Sequence, residues 1–277
     1  VLQNMDLFQI CQETIAIVKE TGAFVRREAE AFDRASVEYK GAANNLVSYV
    51  DKEAEKQLVA RLSQLVPDAG FITEEGTVTK HSDTLNWIID PLDGTTNFIH
   101  GLRLYCVSVA LVRGNQPIVG VVYEPSLDEC YSAWLGGGAF CNGRPIRTSA
   151  AVSLEDSLIS TGFPYTLGEK LSIHLSILHD FVMRSHGIRR LGAAALDLAY
   201  VACGRVEGFY EYNLKPWDLA AGVLLVTEAG GKVSDFADGS GFLLSGQLVA
   251  ASASVHEPMR QVIQGHWQSP PAPEGGV

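Results

Sequence analysis

Between residues 85 and 134 the chain passes through four segments rich in Val, Ile and aromatic residues: Leu85–Ile89, Leu104–Val112, Pro117–Tyr123 and Glu129–Trp134. Arg113-Gly-Asn115 and Glu124-Pro-Ser126 punctuate the later ones. Connections this short suit hairpins, so the segments read as successive antiparallel strands. Gly136-Gly-Gly138 and Asn142-Gly143 mark further turns. Ahead of this block, Leu7, Ile10, Cys11, Ile15, Val18, Val25 and Ala29 recur at helical spacing, which predicts an amphipathic helix over 6–31. Lys40 to Asn45 reads as a loop. Ser48-Tyr-Val-Asp51 reads as a capping box opening a second helix, with Ala54, Leu58, Leu62 and Leu65 as its stripe and Pro67 as its stop. Beyond about residue 155 strands and helices alternate. Strands are expected at 157–161, 208–212, 231–235 and 247–251, and helices at 167–184, 193–202, 216–229 and 255–264. The pattern predicts an α/β (α+β) layered sandwich of alternating helix layers and mostly antiparallel sheets. One compact domain is expected over 1–265, with halves of about 1–150 and 151–265, and a disordered tail over 266–277.

The chain has 277 residues, 47% of them hydrophobic and 19% charged, enough to fill a sizeable core. Its formal charge is 21 − 32 = −11. Such a chain is a poor binder of nucleic acid, which needs clustered Lys and Arg. The charge also disfavours an anionic substrate, unless bound cations invert the local field. The five cysteines are widely spaced and form no C-x-x-C, which fits scattered thiols in a reducing cytoplasm rather than a disulfide framework. Gln3, Asp6, Gln9, Gln12 and Glu13 stand where a signal peptide would need an apolar block. No apolar run approaches the roughly 18 residues of a membrane span.

The stretch with most chemistry is Trp87-Ile-Ile-Asp90-Pro-Leu-Asp93-Gly94-Thr95-Thr96-Asn97-Phe98. A strand end is rigid enough to hold carboxylates to metal geometry. Gly94 lets the chain turn so that the following amides face an anion, and Thr95 adds a hydroxyl. Hard oxygen ligands beside a phosphate-sized amide nest suit Mg²⁺ and a phosphate ester. The D-x-D-G-T pattern of haloacid-dehalogenase-type phosphatases is excluded, because Pro91 occupies the position of its nucleophile. Direct attack by a metal-activated water, without a covalent intermediate, fits better. Glu74 and Glu75 follow a short apolar strand, and Asp218 opens the helix at 216. Taken singly, these acids have structural explanations: paired Glu residues are commonly solvated, Asp218 would complement a helix dipole, and Asp51 would serve a capping box.

Taken together, W-I-I-D-P-L-D-G-T-T-N-F with T-E-E-G upstream and P-W-D-L-A-A-G downstream resembles the inositol monophosphatase family. Lys40-x-x-x-x-Asn-Leu-Val-x-x-x-Asp51, Gly138-Ala-Phe-Cys-Asn-Gly143, Gly192-Ala-Ala-Ala-Leu196 and Glu228-Ala-Gly-Gly231 follow the family's order, and the likeness covers roughly residues 6–265. It implies a sugar-phosphatase type of layered sandwich, a homodimer, and Mg²⁺-dependent, lithium-sensitive hydrolysis of a phosphate monoester, with inositol 1-phosphate as first candidate. The resemblance implies roughly two to three Mg²⁺ per site, which would offset the clustered acids. It assigns Glu74, Asp90 and the Leu92 carbonyl to the first metal, Asp90, Asp93 and Asp218 to the second, and Glu74 to a weaker third. Thr95 and Asp51 would orient and deprotonate the attacking water. The Gly94 and Thr95 amides would cradle phosphate, with Asp93 and Asp218 beside them, and Gly192, Ala194 and Glu211 would contact inositol hydroxyls.

Two departures bear on substrate choice: Ala193 stands where many relatives have Ser or Thr, and Thr73 replaces a frequent Gly. Arg189 and Arg190 are read as facing a dimer partner or solvent. The rival readings are a sister phosphatase acting on 3′-phosphoadenosine 5′-phosphate, fructose 1,6-bisphosphate, NADP or histidinol phosphate, and a protein that also binds transcription machinery. No obvious Lys/Arg cluster stands in the alcohol-binding segments, which favours a monophosphate.

Overall fold

The structure, a computed structural model, describes residues 5–32, 38–39, 46–47, 49–164 and 170–267. Its first elements are α1 (Leu7–Ala31), β1 (Glu38–Tyr39), β2 (Leu46–Val47), α2 (Tyr49–Leu65) and β3 (Gly70–Thr73). β4 (Leu85–Asp93), α3 (Thr95–Ile99), β5 (Cys106–Arg113), β6 (Gln116–Glu124), β7 (Glu129–Trp134), β8 (Gly138–Cys141) and β9 (Arg144–Pro145) follow. Then come β10 (Leu158–Thr161), α4 (Leu171–Arg184), β11 (Gly187–Arg189), α5 (Ala194–Ala202), β12 (Gly208–Glu211) and α6 (Pro216–Glu228). The last are β13 (Lys232–Ser234), α7 (Phe242–Ser245), β14 (Leu248–Ala251) and α8 (His256–His266).

Seven strands pair in the order β3-β4-β5-β6-β7-β8-β9, antiparallel except for β3 beside β4. Five more pair in the order β11-β10-β12-β14-β13, where β10 runs parallel to both its neighbours. Strand alternation sends side chains to opposite faces and so stacks the layers. Trp87, Ile89, Val109, Leu111 and Val121 pack with Val18, Val25, Leu58 and Leu62 of α1 and α2. The opposite face, with Ile88, Ala110, Val122 and Tyr131, packs with Leu198 of α5 and Leu225 of α6. Phe209 and Ala250 of the second sheet reach the same cluster from the other side. Tyr210, Val249 and Ala251 turn instead to Phe181 of α4 and Met259 of α8. Helix pair, sheet, helix pair, sheet and helix pair therefore alternate. At Gly120 an added Cβ would lie 2.9 Å from the Ala221 carbonyl, so this glycine lets α6 lie close on β6.

The observed bounds differ from expectation in instructive ways. β4 runs on through Pro91 to Asp93, with its register against β5 broken between Asp90 and Asp93. Asp6 caps α1 by accepting from the Gln9 amide at 3.1 Å. α8 reaches His266, and Trp267 is buried against Phe236, so residues 266 and 267 belong to the packed body. Residues 268–277, Ser48 and the loop 40–45 lie outside the described residues. The short elements β11 and α7 were not anticipated.

Candidate active site

The site is built where β4 ends. The Leu92 amide donates to Asp90 Oδ1 at 3.0 Å, folding that carboxylate back over Pro91. Gly94, at φ 90°, is the N-cap of α3, and its positive φ lets the chain reverse. The Thr95 hydroxyl lies 2.9 Å from Asp51 Oδ1 and 3.0 Å from the Leu92 carbonyl. Asp51 is fully buried in the first turn of α2. Parallel pairing of β3 with β4 carries Glu74 alongside, and its amide donates to Ile89 O at 3.2 Å, one residue before Asp90. Two helices, α5 and α6, begin here. The Ala195 amide of α5 donates to Asp93 Oδ2 at 2.7 Å, and Asp218 of α6 accepts from the Lys215 amide at 2.6 Å.

These residues surround a pocket of about 430 Å³. Glu74, Asp90, Leu92, Asp93, Gly94, Thr95, Gly192, Ala194, Glu211 and Asp218 all line it. Asp51 is not itself a lining residue but holds the hydroxyl of Thr95, which is. Burial pushes the Asp90 carboxyl well above the usual range, and Glu74, Asp93 and Asp218 push it further. Asp93 rises to about 6, through burial and Glu74, against the amides of Ala195 and Ala194. Asp218 is raised well above its ordinary value, by burial and then by Asp93.

The chain matches the inositol monophosphatase family over residues 6–268. It belongs to that family. It is 41% identical over 246 residues to the inositol-1-monophosphatase of Mesorhizobium japonicum, covering 88% of this chain and 92% of the relative. It is 40% identical over 246 residues to the Nus factor SuhB of Escherichia coli K12, covering 88% and 92%. The extragenic suppressor protein suhB of Bartonella henselae superposes with a TM-score of 0.86 at 36% identity, over 92% of this chain and 98% of that one. An IMPase/NADP phosphatase complexed with NADP and Ca²⁺ gives 0.81 at 25% identity, over 94% and 96%. A staphylococcal inositol monophosphatase in a lithium-soaked inhibitory complex gives 0.82 at 25%, over 94% and 96%.

Metal-holding capacity in this family member is a matter of donor chemistry. Among the described residues no three His, Cys, Asp or Glu side chains close into a ready-made cage. The acids are gathered along one pocket instead. Carboxylate and carbonyl oxygens are the donors that hard divalent cations take. Three of the carboxyls are held above their ordinary values by burial and mutual repulsion, a strain that bound cations would relieve. The residues fit Mg²⁺ in kind.

Several pocket residues escaped sequence reasoning. Arg190, read as facing a partner or solvent, lines the pocket beside Gly192 and draws Glu211 and Asp197 toward their charged forms. Asp197 is buried in the first turn of α5, its carboxyl raised by burial, and Lys215 also lines the pocket. Only the acid at the start of a small-residue helix signalled Asp197. Asn97 donates to the carbonyls of Leu104 at 2.6 Å and Leu191 at 2.8 Å, fixing the turn that carries Gly192. Ala193 is the N-cap residue of α5 and offers no side-chain cap. Glu211 rises to about 8, through burial and then Asp197.

Proposed function

We propose that the chain is a Mg²⁺-dependent phosphatase that hydrolyses a phosphate monoester, inositol 1-phosphate first among candidates, without a covalent enzyme intermediate. The observation that carries this reading is the meeting, in one pocket, of Glu74, Asp90, Asp93 and Asp218 with the Thr95–Asp51 pair. Glu74, Asp90, the Leu92 carbonyl, Asp93 and Asp218 would hold roughly two to three Mg²⁺, which would clamp phosphoryl oxygens and make water a better nucleophile. Thr95 orients the attacking water and passes its proton to Asp51 Oδ1, 2.9 Å away. The amides of Gly94 and Thr95 hold the phosphate. Glu211, with Gly192 and Ala194, faces the alcohol. With its carboxyl at about 8, Glu211 both donates to and accepts from hydroxyls near neutrality.

A phosphate-release panel in Mg²⁺ tests the reading, with inositol 1-phosphate set against NADP, fructose 1,6-bisphosphate, 3′-phosphoadenosine 5′-phosphate and histidinol phosphate. Inositol 1-phosphate should have the highest kcat/KM and Li⁺ should inhibit. No release from any ester would end the phosphatase reading. Arg190 and Lys215 on the pocket walls favour a second reading, a substrate with another anionic group such as NADP, which the same panel resolves. We further propose a homodimer in the cytoplasm. Five free thiols support the compartment, and no described helix is long and apolar enough to cross a membrane. Binding to transcription machinery, suggested by the Nus-factor name of the 40% identical relative, is tested by pull-down from extract.

A further inference from the structure

Glu55 lies outside the pocket, fully buried on α2, one turn beyond Asp51. A buried carboxylate is costly unless donors surround it. Its donors all come from one loop, residues 73–77. Oε1 accepts from the Thr73 hydroxyl at 2.9 Å, the Thr77 amide at 2.7 Å and the Thr77 hydroxyl at 2.7 Å. Oε2 accepts from the Glu75 amide at 2.8 Å. Gly76, at φ 65°, bends the loop so that the amides on both sides of it reach the same carboxylate. The Glu74 amide adds an anchor on Ile89 O at 3.2 Å. Glu74 is therefore clamped on both sides, by β4 through its own amide and by Glu55 through the amide that follows.

We infer that Glu55 is a positioning residue that aims Glu74 at the divalent cation while touching neither cation nor substrate. The hydroxyl of Thr73 adds a donor to the same clamp. Charge-assisted bonds are short and directional, which suits a device that fixes a neighbouring ligand. Glu55→Gln would keep the volume, but whichever way the amide is turned its N–H₂ faces a backbone N–H, that of Thr77 on one side or of Glu75 on the other.

The inference rests on the proposed role of Glu74 as a Mg²⁺ ligand, so the experiment separates the two. Mg²⁺ is titrated calorimetrically into metal-stripped wild type, Glu55→Gln, Glu74→Gln and the double variant. Glu74→Gln should weaken Mg²⁺ binding, Glu55→Gln should weaken it roughly 10-fold or more, and the double variant should be no weaker than Glu74→Gln alone. Ile177→Val, a core change in the far helix layer, supplies a control that lowers the melting temperature and leaves Mg²⁺ affinity unchanged. If Glu55→Gln does not fold, Thr77→Val removes one hydroxyl donor and should weaken binding roughly threefold. Wild-type Mg²⁺ affinity in Glu55→Gln, or in Thr77→Val where that variant stands in, overturns the inference. So does a loss that adds fully to that of Glu74→Gln. Unchanged binding in Glu74→Gln overturns the ligand reading and the inference with it.

Discussion

Beneath α2, the single carboxylate of Glu55 is met by four donors from one loop. At the end of β4, Asp90, Asp93 and Asp218 face one another, and each is raised by burial and by its neighbours. The functional group is the same, but the surroundings give it opposite tasks. A carboxylate whose lone pairs are filled by fixed donors is scaffold, and its charge is already answered. A cluster short of donors remains strained until cations or protons arrive, and that shortfall is what makes it a site.

The largest expected effect comes from leaving the cluster unanswered. Chelation with EDTA should bring phosphate release to background and added Mg²⁺ should restore it; full turnover in metal-free buffer would erase the distinction between the two neighbourhoods. Asp93→Asn removes a charge from the middle of the cluster and should cut kcat on the order of 10³-fold with circular dichroism unchanged. In the proposed mechanism Asp51→Asn alters the handling of the water rather than the clamp. It should lower kcat about 10²- to 10³-fold with KM and Mg²⁺ affinity preserved. Weakened binding at normal kcat would move Asp51 from base to scaffold.

Glu211 tests where the strained cluster stops and the specificity wall begins. Glu211→Leu removes both the donor and the acceptor and should lower kcat/KM for inositol 1-phosphate by roughly 10- to 100-fold. It should leave p-nitrophenyl phosphate, which lacks such hydroxyls, nearly unchanged. Equal losses on both would place Glu211 with the metal site. The smallest effect is on stability. The folded carboxyls of Asp93, at about 6, and Glu211, at about 8, keep protons that the unfolded chain gives up at lower pH. The folded state therefore binds more protons across that interval, and stability falls as pH rises through it. Metal-stripped protein should melt roughly 5 °C lower near pH 7.5 than near pH 5.5, and Mg²⁺ should flatten the difference. A stripped protein more stable at the higher pH would contradict the picture of an unrelieved acid cluster.

Much of this architecture is written in local pattern. Helical spacing in 7–31 and 49–65, the short turns of the meander, and Pro216 at the head of α6 announce their elements within a residue or two. Asp90, Asp93, Gly94 and Thr95 were legible because strand end and turn place them within six residues of one another. The rest of the site was not spelled out this way. Asp51, Glu74, Glu211 and Asp218 were picked out by likeness to a family, since each acid alone has an ordinary structural explanation. The apolar pattern predicts this strand only over Leu85–Ile89, whereas β4 continues through Pro91 and its register breaks and resumes at Asp93.

Arg190, Asp197 and Glu55 had no legible signal strong enough to place them. Side-chain periodicity tells which face of a helix or strand a residue occupies, and so the layers can be read from spacing alone. It does not tell which distant segment lies opposite that face. The pairing of β3 with β4 set Glu74 beside Asp90, and the seating of α2 over that sheet set Glu55 under the loop 73–77. Arg190 lines the pocket next to the Leu191 carbonyl that Asn97 holds. Such meetings depend on register and on layer contacts across long stretches of chain, so they exist only once the layers have packed.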